Sequence, residues 1–169
     1  MFKRVIGTSV KILLFAIGAI LLLFCVLFFA AGSERTQLKT NENLVFAHRG
    51  QATKAAENSF EAIELAIADG YTAIELDIRM SQDGKPMLFH DDSLTRLCKT
   101  KGSIEQMPFQ QLQTIHLYFD DKKTDNTIAD LETVFKKHPD LIYYLDVKKP
   151  TSKNLSTIAD LIDKYSMQQ

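Results

Sequence analysis

The stretch YTAIELDIRMSQDGKPMLFH, residues 71–90, sets the frame for the whole chain. Residues 71–80 read as a strand, Asp83–Gly84 as a turn and residues 85–90 as another strand. Alternate strand residues point to the same side, so Glu75 and Asp77 face one way as a pair. The second strand then ends on His90, followed by Asp91 and Asp92. A strand that finishes in ionisable side chains points to a site at its end.

The same pattern extends in both directions. Upstream, LVFA (44–47) reads as a buried strand that runs directly into His48, Arg49 and Gly50. A chain that only had to turn would more usually place Asn, Asp, Pro or Gly there. ENSFEAIELAIADG (57–70) carries Phe60, Ile63, Leu65 and Ile67 among alanines, stops at Gly70, and has Asn58 and Glu61 at capping-box spacing, so it reads as a helix. Downstream, a polar stretch to about residue 126 contains one weak helical piece, SIEQMPFQQLQTIHL (103–117). A helix (128–138), a strand (141–148) and a last helix (155–165) follow. This alternation predicts an α/β fold with parallel strands and right-handed crossovers. SQDG (81–84), which replaces a crossover helix, is its one irregularity.

Residues 12–31, ILLFAIGAILLLFCVLFFAA, hold no charge, and about 20 apolar residues span a ~30 Å hydrocarbon core as a helix. A cleaved signal peptide has a shorter apolar region of about 7–15 residues, although FFAAGS (28–33) offers a small-residue site. On length, 12–31 reads as an uncleaved transmembrane helix. Lys3, Arg4 and Lys11 precede it without an acid, which places residues 1–11 in the cytoplasm and the rest outside, as a single-pass membrane protein with an extracytoplasmic domain. Residues 32–43 read as a polar tether, and 44–169 as the working domain. Setting aside those three basic residues leaves 17 Lys and Arg against 21 Asp and Glu, a net charge of −4. Such a surface has no affinity for nucleic acid. Of the two cysteines, Cys25 lies in the apolar span and Cys98 in the domain, so no disulfide joins parts of the domain.

The strand ends gather His48 and Arg49, Glu75 and Asp77, His90, and Asp146 and Lys148. In parallel α/β folds the active site forms at the carboxyl ends of the strands. Three carboxylates held together repel one another, and a divalent cation relieves that cost. Oxygen donors suit Mg²⁺, Ca²⁺ or Mn²⁺ rather than zinc or copper. Two imidazoles beside such an ion would serve as general acid and base, and Arg49 and Lys148 would hold a phosphate. Taken singly, each group has a plainer reading: Glu75 and Asp77 as a solvated strand face, Asp146 and Lys148 as an ion pair, Asp91 and Asp92 as turn residues, and His116 and His138 as surface residues without partners. Their convergence carries the joint reading.

AHRG (47–50), ENS (57–59), IELDIRMSQDGKPMLFHDDSLTR (74–96) and LDVKKP (145–150) resemble the glycerophosphodiester phosphodiesterase family in order and spacing through about residue 150. The resemblance implies a (βα)8 TIM barrel that hydrolyses glycerophosphodiesters to an alcohol and glycerol 3-phosphate with a divalent cation, Mg²⁺ or Ca²⁺. It implies His48 and His90 as the acid/base pair, Arg49 and Lys148 as phosphate contacts, and Glu75, Asp77 and Asp146 as metal ligands. Asp146 stands where the family usually has Glu. The polar segment 93–126 falls where the family carries its insertion over the substrate. A barrel of this kind takes about 250 residues. Residues 44–169 therefore read as an N-terminal half-barrel of four strands, with its edges open to a missing C-terminal half. A related phosphatidylinositol-type phospholipase C barrel and an inactive anchored binding module are the alternatives.

Overall fold

The structure, a computed structural model, describes residues 2–31 and 44–167, and the chain divides into two units, Met1–Lys39 and Thr40–Gln169. The first unit holds helix α1 (Phe2–Ala31), on which Ile12, Leu14, Phe15, Leu22 and Phe24 are all exposed. Among the described residues no helix is long and apolar enough to cross a membrane. The expected tether, 32–43, lies outside the described residues.

The second unit runs β1 (Phe46–His48), α2 (Phe60–Ala68), β2 (Ala73–Met80), β3 (Pro86–Leu88), α3 (Thr95–Cys98), a 3-10 turn (Ile104–Gln106), α4 (Phe109–Leu112), β4 (His116–Phe119), β5 (Lys122–Thr127), α5 (Leu131–Lys137), β6 (Ile142–Val147) and α6 (Ser152–Lys164). β2 is the centre. It pairs in parallel with β1, His48 opposite Glu75, and with β6, Asp77 opposite Asp146. One face of these strands presents Ala47, Ile74, Leu76 and Ile78 to Ile63 and Ala66 of α2, Val134 and Phe135 of α5 and Ile158 of α6, all buried in one core. Full burial of a side chain such as Ile74 or Phe135 contributes about 1.5–3 kcal/mol, so this layer fixes the height of each strand against its neighbour. Register then puts His48, Glu75, Asp77, Tyr144 and Asp146 on the opposite face. Lower on that face the Phe46 and Tyr144 rings meet edge-on at 6.1 Å.

The expectation of four parallel strands is corrected at β3, which pairs antiparallel with β2, Ile78 opposite Leu88 and Met80 opposite Pro86. The five residues between the strands are too few for a crossover, which needs about a dozen or more, so the chain can only fold back. β2 therefore runs past the level of Asp77, turns at SQDG and returns. The Phe89 N–H donates to the Asp77 carbonyl at 2.9 Å, which sets His90 at the height of the carboxylates. Three parallel strands remain from the expected four, and the outer edges of β1 and β6 have no strand beside them among the described residues.

Segment 93–126 is more ordered than its polarity predicts. Leu94, Leu97, Cys98, Ile104, Leu112, Leu117 and Ile128 form a second buried core with Met87 and Phe89 of the β3 arm. β4 and β5 make an antiparallel hairpin over it. His116 is no bare surface residue: its Nδ1 lies 2.9 Å from the Thr124 carbonyl oxygen within this hairpin. His138 caps α5, with its Nε2 3.2 Å from a Glu64 carboxylate oxygen. α2 starts one residue later than the capping-box reading, because Ser59, not Asn58, is its N-cap and accepts from the Ala62 N–H. α6 starts earlier, at Ser152, where the Thr151 hydroxyl accepts from the Asn154 N–H.

Gly50 holds the β1 loop against α2. Its φ is +76°, and an added Cβ would lie 2.6 Å from the Ala62 carbonyl carbon. Left-handed backbone and a clash with main chain act together, so Gly50→Ala is expected to cost more than about 2 kcal/mol. Urea denaturation of the chain measures it as a lowered midpoint.

Candidate active site

Asp77 is the most enclosed acid of the site, with its side chain 1% exposed. A buried carboxylate is tolerable only when paired and hydrogen-bonded. Lys148 Nζ reaches Asp77 Oδ1 at 2.8 Å and Asp146 Oδ2 at 2.6 Å, two residues apart along β6 as the strand period requires. The Asn58 amide donates to Asp77 Oδ2 at 2.8 Å, and its carbonyl oxygen accepts the Asp77 N–H at 3.1 Å. Arg49 Nε lies 3.0 Å from Asp77 Oδ2, out of line for a hydrogen bond. Burial pushes the Asp77 carboxyl up, but Lys148, Asn58 and Arg49 overcome it and hold the group below the ordinary aspartate value.

Glu75 is in the opposite condition. Burial, then the charge of Asp77, pushes its carboxyl above the usual glutamate value. The Arg49 N–H donates to Glu75 Oε2 at 3.0 Å, and His48 Nε2 stands 3.8 Å from the same oxygen. Ligand atoms of Glu75, Asp77 and Asp146 all lie within 4.8 Å of one another, so these three can hold one ion. The donor set fits a hard divalent cation, since all three offer carboxylate oxygens and Asp146 is half-exposed while Asp77 is buried. Lys148, bridging two of the acids, supplies compensating positive charge at the same place.

Arg49 adopts a left-handed backbone, φ +57°, and its guanidinium spans two acids, donating from Nη1 to Glu57 at 3.0 Å. His90 belongs to a second group: ligand atoms of Glu57, His90 and Asp91 also lie within 4.8 Å of one another. Arg49 thus links the two groups through Glu57 and Asp77. The structure brings His48, Arg49, Glu75, Asp77, Asp146 and Lys148 into one network, with His90 joined to it through the β3 backbone and through Asp91.

Several members of this network have other roles in the sequence, or none. Asp91 is not a plain turn residue, since it faces His90 Nδ1 at 2.8 Å and accepts from Arg96 Nε at 2.6 Å. Arg96 beside Asp91 holds its carboxyl down to about 2. Asp92 pairs instead with Arg79, 3.0 Å away, and with Lys149. Arg79 is buried and donates from Nε and Nη2 to the His90 carbonyl oxygen at 3.0 and 2.8 Å. Asn58 is equally enclosed. An arginine on the polar face of a strand carries no spacing signal, and the spacing of Asn58 pointed to a helix cap; only the fold shows what they reach.

Residues 48–168 match the glycerophosphoryl diester phosphodiesterase family. The chain belongs to that family. A glycerophosphodiester phosphodiesterase from Agrobacterium tumefaciens shares its fold with a TM-score of 0.68 at 27% identity, over 75% of this chain and 55% of that one. A phosphodiesterase from Oleispira antarctica, solved with the product sn-glycerol-3-phosphate, gives a TM-score of 0.62 at 26% identity over 73% of this chain and 53% of that one. Mouse lysophospholipase D is 26% identical over 131 residues, 73% of this chain and 40% of the relative. The chain therefore spans about half the length, or less, of these members of the glycerophosphodiester phosphodiesterase family, and their barrel-type fold accounts for its parallel β1, β2 and β6.

The depressed Asp91 carboxyl predicts a pH signature. Its folded value, about 2, lies below the ordinary 3.8, so the Arg96 pairing stabilises the fold above about pH 4 and fades as pH falls toward 2. Urea denaturation across this range should show Arg96→Gln less stable than the parent above about pH 4, with the gap closing on acidification.

Proposed function

We propose that this chain carries part of a barrel that hydrolyses glycerophosphodiesters, breaking the phosphorus–oxygen bond to the alcohol and releasing glycerol phosphate, with water supplying the oxygen overall. The observation that carries the reading is the single network of His48, Glu75, Asp77, Asp146 and Lys148 at the ends of three parallel strands, in a chain of this family. The product bound to the Oleispira relative supports the substrate class.

Glu75, Asp77 and Asp146 would hold the divalent cation, Mg²⁺ or Ca²⁺. When bound, it offsets charge on the phosphoryl oxygens and lowers the pKa of an attacking hydroxyl. The chain's own groups do the rest. Glu75 fixes the Arg49 loop and stands beside His48, so the β1 loop cannot move independently of the acid cluster. Lys148 is a compact positive charge on a partly exposed strand end, suited to a phosphoryl oxygen that competes with its two carboxylates. Arg49 lies behind it, fastened to Glu57 and Asp77, and strengthens the positive field at the phosphate. His48 and His90 take a proton from the attacking oxygen and give one to the leaving alkoxide, the division of labour that imidazoles manage near neutral pH.

A second reading keeps the site and changes the substrate to a lysophospholipid, favoured by the name of the mouse relative. Choline release from lysophosphatidylcholine, compared with that from glycerophosphocholine, separates the two.

The uncharged run 12–31, preceded by Lys3, Arg4 and Lys11, supports an anchor that leaves the working domain on the extracytoplasmic side. Carbonate-resistant membrane association and protease access from outside the cell are the expected results.

Hydrolysis of glycerophosphocholine with and without chelator tests the activity. Turnover by the chain that EDTA abolishes and Mg²⁺ or Ca²⁺ restores is expected, and its absence from well-folded protein removes the proposal. His48→Ala should lower kcat by about 10²–10⁴-fold, the usual contribution of a general acid or base. In addition, the cation at about 100 times its Kd should stabilise the chain by about 2.7 kcal/mol, an effect lost in Glu75→Gln.

A further inference from the structure

His90 is held at both ends. On the main-chain side, Arg79 donates two hydrogen bonds to its carbonyl oxygen. On the ring side, Nδ1 lies 2.8 Å from Asp91 Oδ1. Asp91 is itself gripped by Arg96, with Nε to Oδ2 at 2.6 Å and Nη2 to Oδ1 at 3.0 Å. Arg96 then reaches Glu57, with Nη2 to Oε1 at 2.6 Å and Nη1 to Oε2 at 3.1 Å. Glu57 accepts from Arg49 on the far side. Charges alternate along this line from the imidazole to the β1 loop, and the two bidentate forks of Arg96 fix its geometry as well as its charge.

Chemistry decides the direction of the bond at His90. A carboxylate engaged by a guanidinium on both oxygens is ionised and accepts only. The hydrogen at the Asp91 contact therefore belongs to His90 Nδ1, which leaves Nε2 as the lone-pair nitrogen. Free imidazole side chains prefer the reverse tautomer, with the hydrogen on Nε2, so the observed contact works against the intrinsic preference. Arg96 keeps Asp91 in place to do so, and Glu57 keeps Arg96 in place.

We propose that Asp91 and Arg96 are positioning residues that hold neutral His90 in its Nδ1–H tautomer, leaving Nε2 to accept the proton in catalysis. This rests on the functional reading above, since it assigns His90 a proton to move. Neither residue touches the substrate in this scheme; both act through the ring.

Nitrogen-15 imidazole NMR of the full chain at alkaline pH, with His90 assigned by comparison with His90→Gln, tests it directly. The unsubstituted chain is expected to show His90 mainly as the Nδ1–H tautomer. Asp91→Asn, whose amide can offer either an oxygen or an N–H, should shift it toward Nε2–H, and Arg96→Gln should shift it partly, with Arg96→Lys recovering most of the native population. In glycerophosphocholine hydrolysis, Asp91→Asn should lower kcat about 10²-fold with KM little changed. An Nε2–H tautomer in the unsubstituted chain overturns the inference without any variant having to fold. So does an Asp91→Asn tautomer identical to the parent's. Failure of the functional reading looks different: no turnover by the unsubstituted chain, with the tautomer and its response to Asp91→Asn as predicted.

Discussion

The buried charge of Asp77 is the constraint around which the site is arranged. Leaving a carboxylate 1% exposed without partners would cost several kcal/mol, and no one element can supply what it needs. Lys148 comes from the end of β6, Asn58 from the loop before α2 and Arg49 from the loop after β1. Satisfying one acid thus ties three separate chain segments to the central strand. The same tie determines where Glu75 and His48 stand, because Arg49 carries the N–H that Glu75 accepts. Stability and chemistry share these contacts.

Two cores support this arrangement from different directions. The helix-covered face of β1, β2 and β6 sets strand heights through side chains such as Ile74, Leu76 and Phe135. The second core, around Phe89, Leu94 and Leu117, supports the returning arm that presents His90. Arg79, near the end of β2, fastens that arm to the central strand through its two bonds to the His90 carbonyl. The contrast between Glu75, raised by burial, and Asp77, lowered by its cations, gives neighbouring acids of one strand different proton affinities within one cluster.

Much of this was readable from residue order. Apolar runs broken by polar ends locate β1, β2 and β6, and the strand period puts Glu75 with Asp77 and Asp146 with Lys148. Strand direction at β3 was not readable from apolar content, since KPMLFH looks the same either way; the short SQDG link carried that information. β5, KKTDNT, has no apolar face and takes its strand form from β4 and from Thr124, which bonds the Leu117 carbonyl. The roles of Asn58, Arg79 and Arg96 were not legible, because Asn58 reaches Asp77, Arg79 the His90 carbonyl and Arg96 Glu57 across 19, 11 and 39 residues of chain. Long-range polar pairing leaves no periodic trace.

The overshooting end of β2 has a consequence for how this architecture can diversify. His90 rides on an excursion, not on a stave of the sheet, so its supporting loop is free of the spacing rules that bind β1, β2 and β6. Residues can be added to or removed from the lobe between Ser93 and Thr127 without altering the stagger of the parallel strands. The lobe that carries this arm can therefore change in size while the strands bearing Glu75, Asp77 and Asp146 keep their mutual positions.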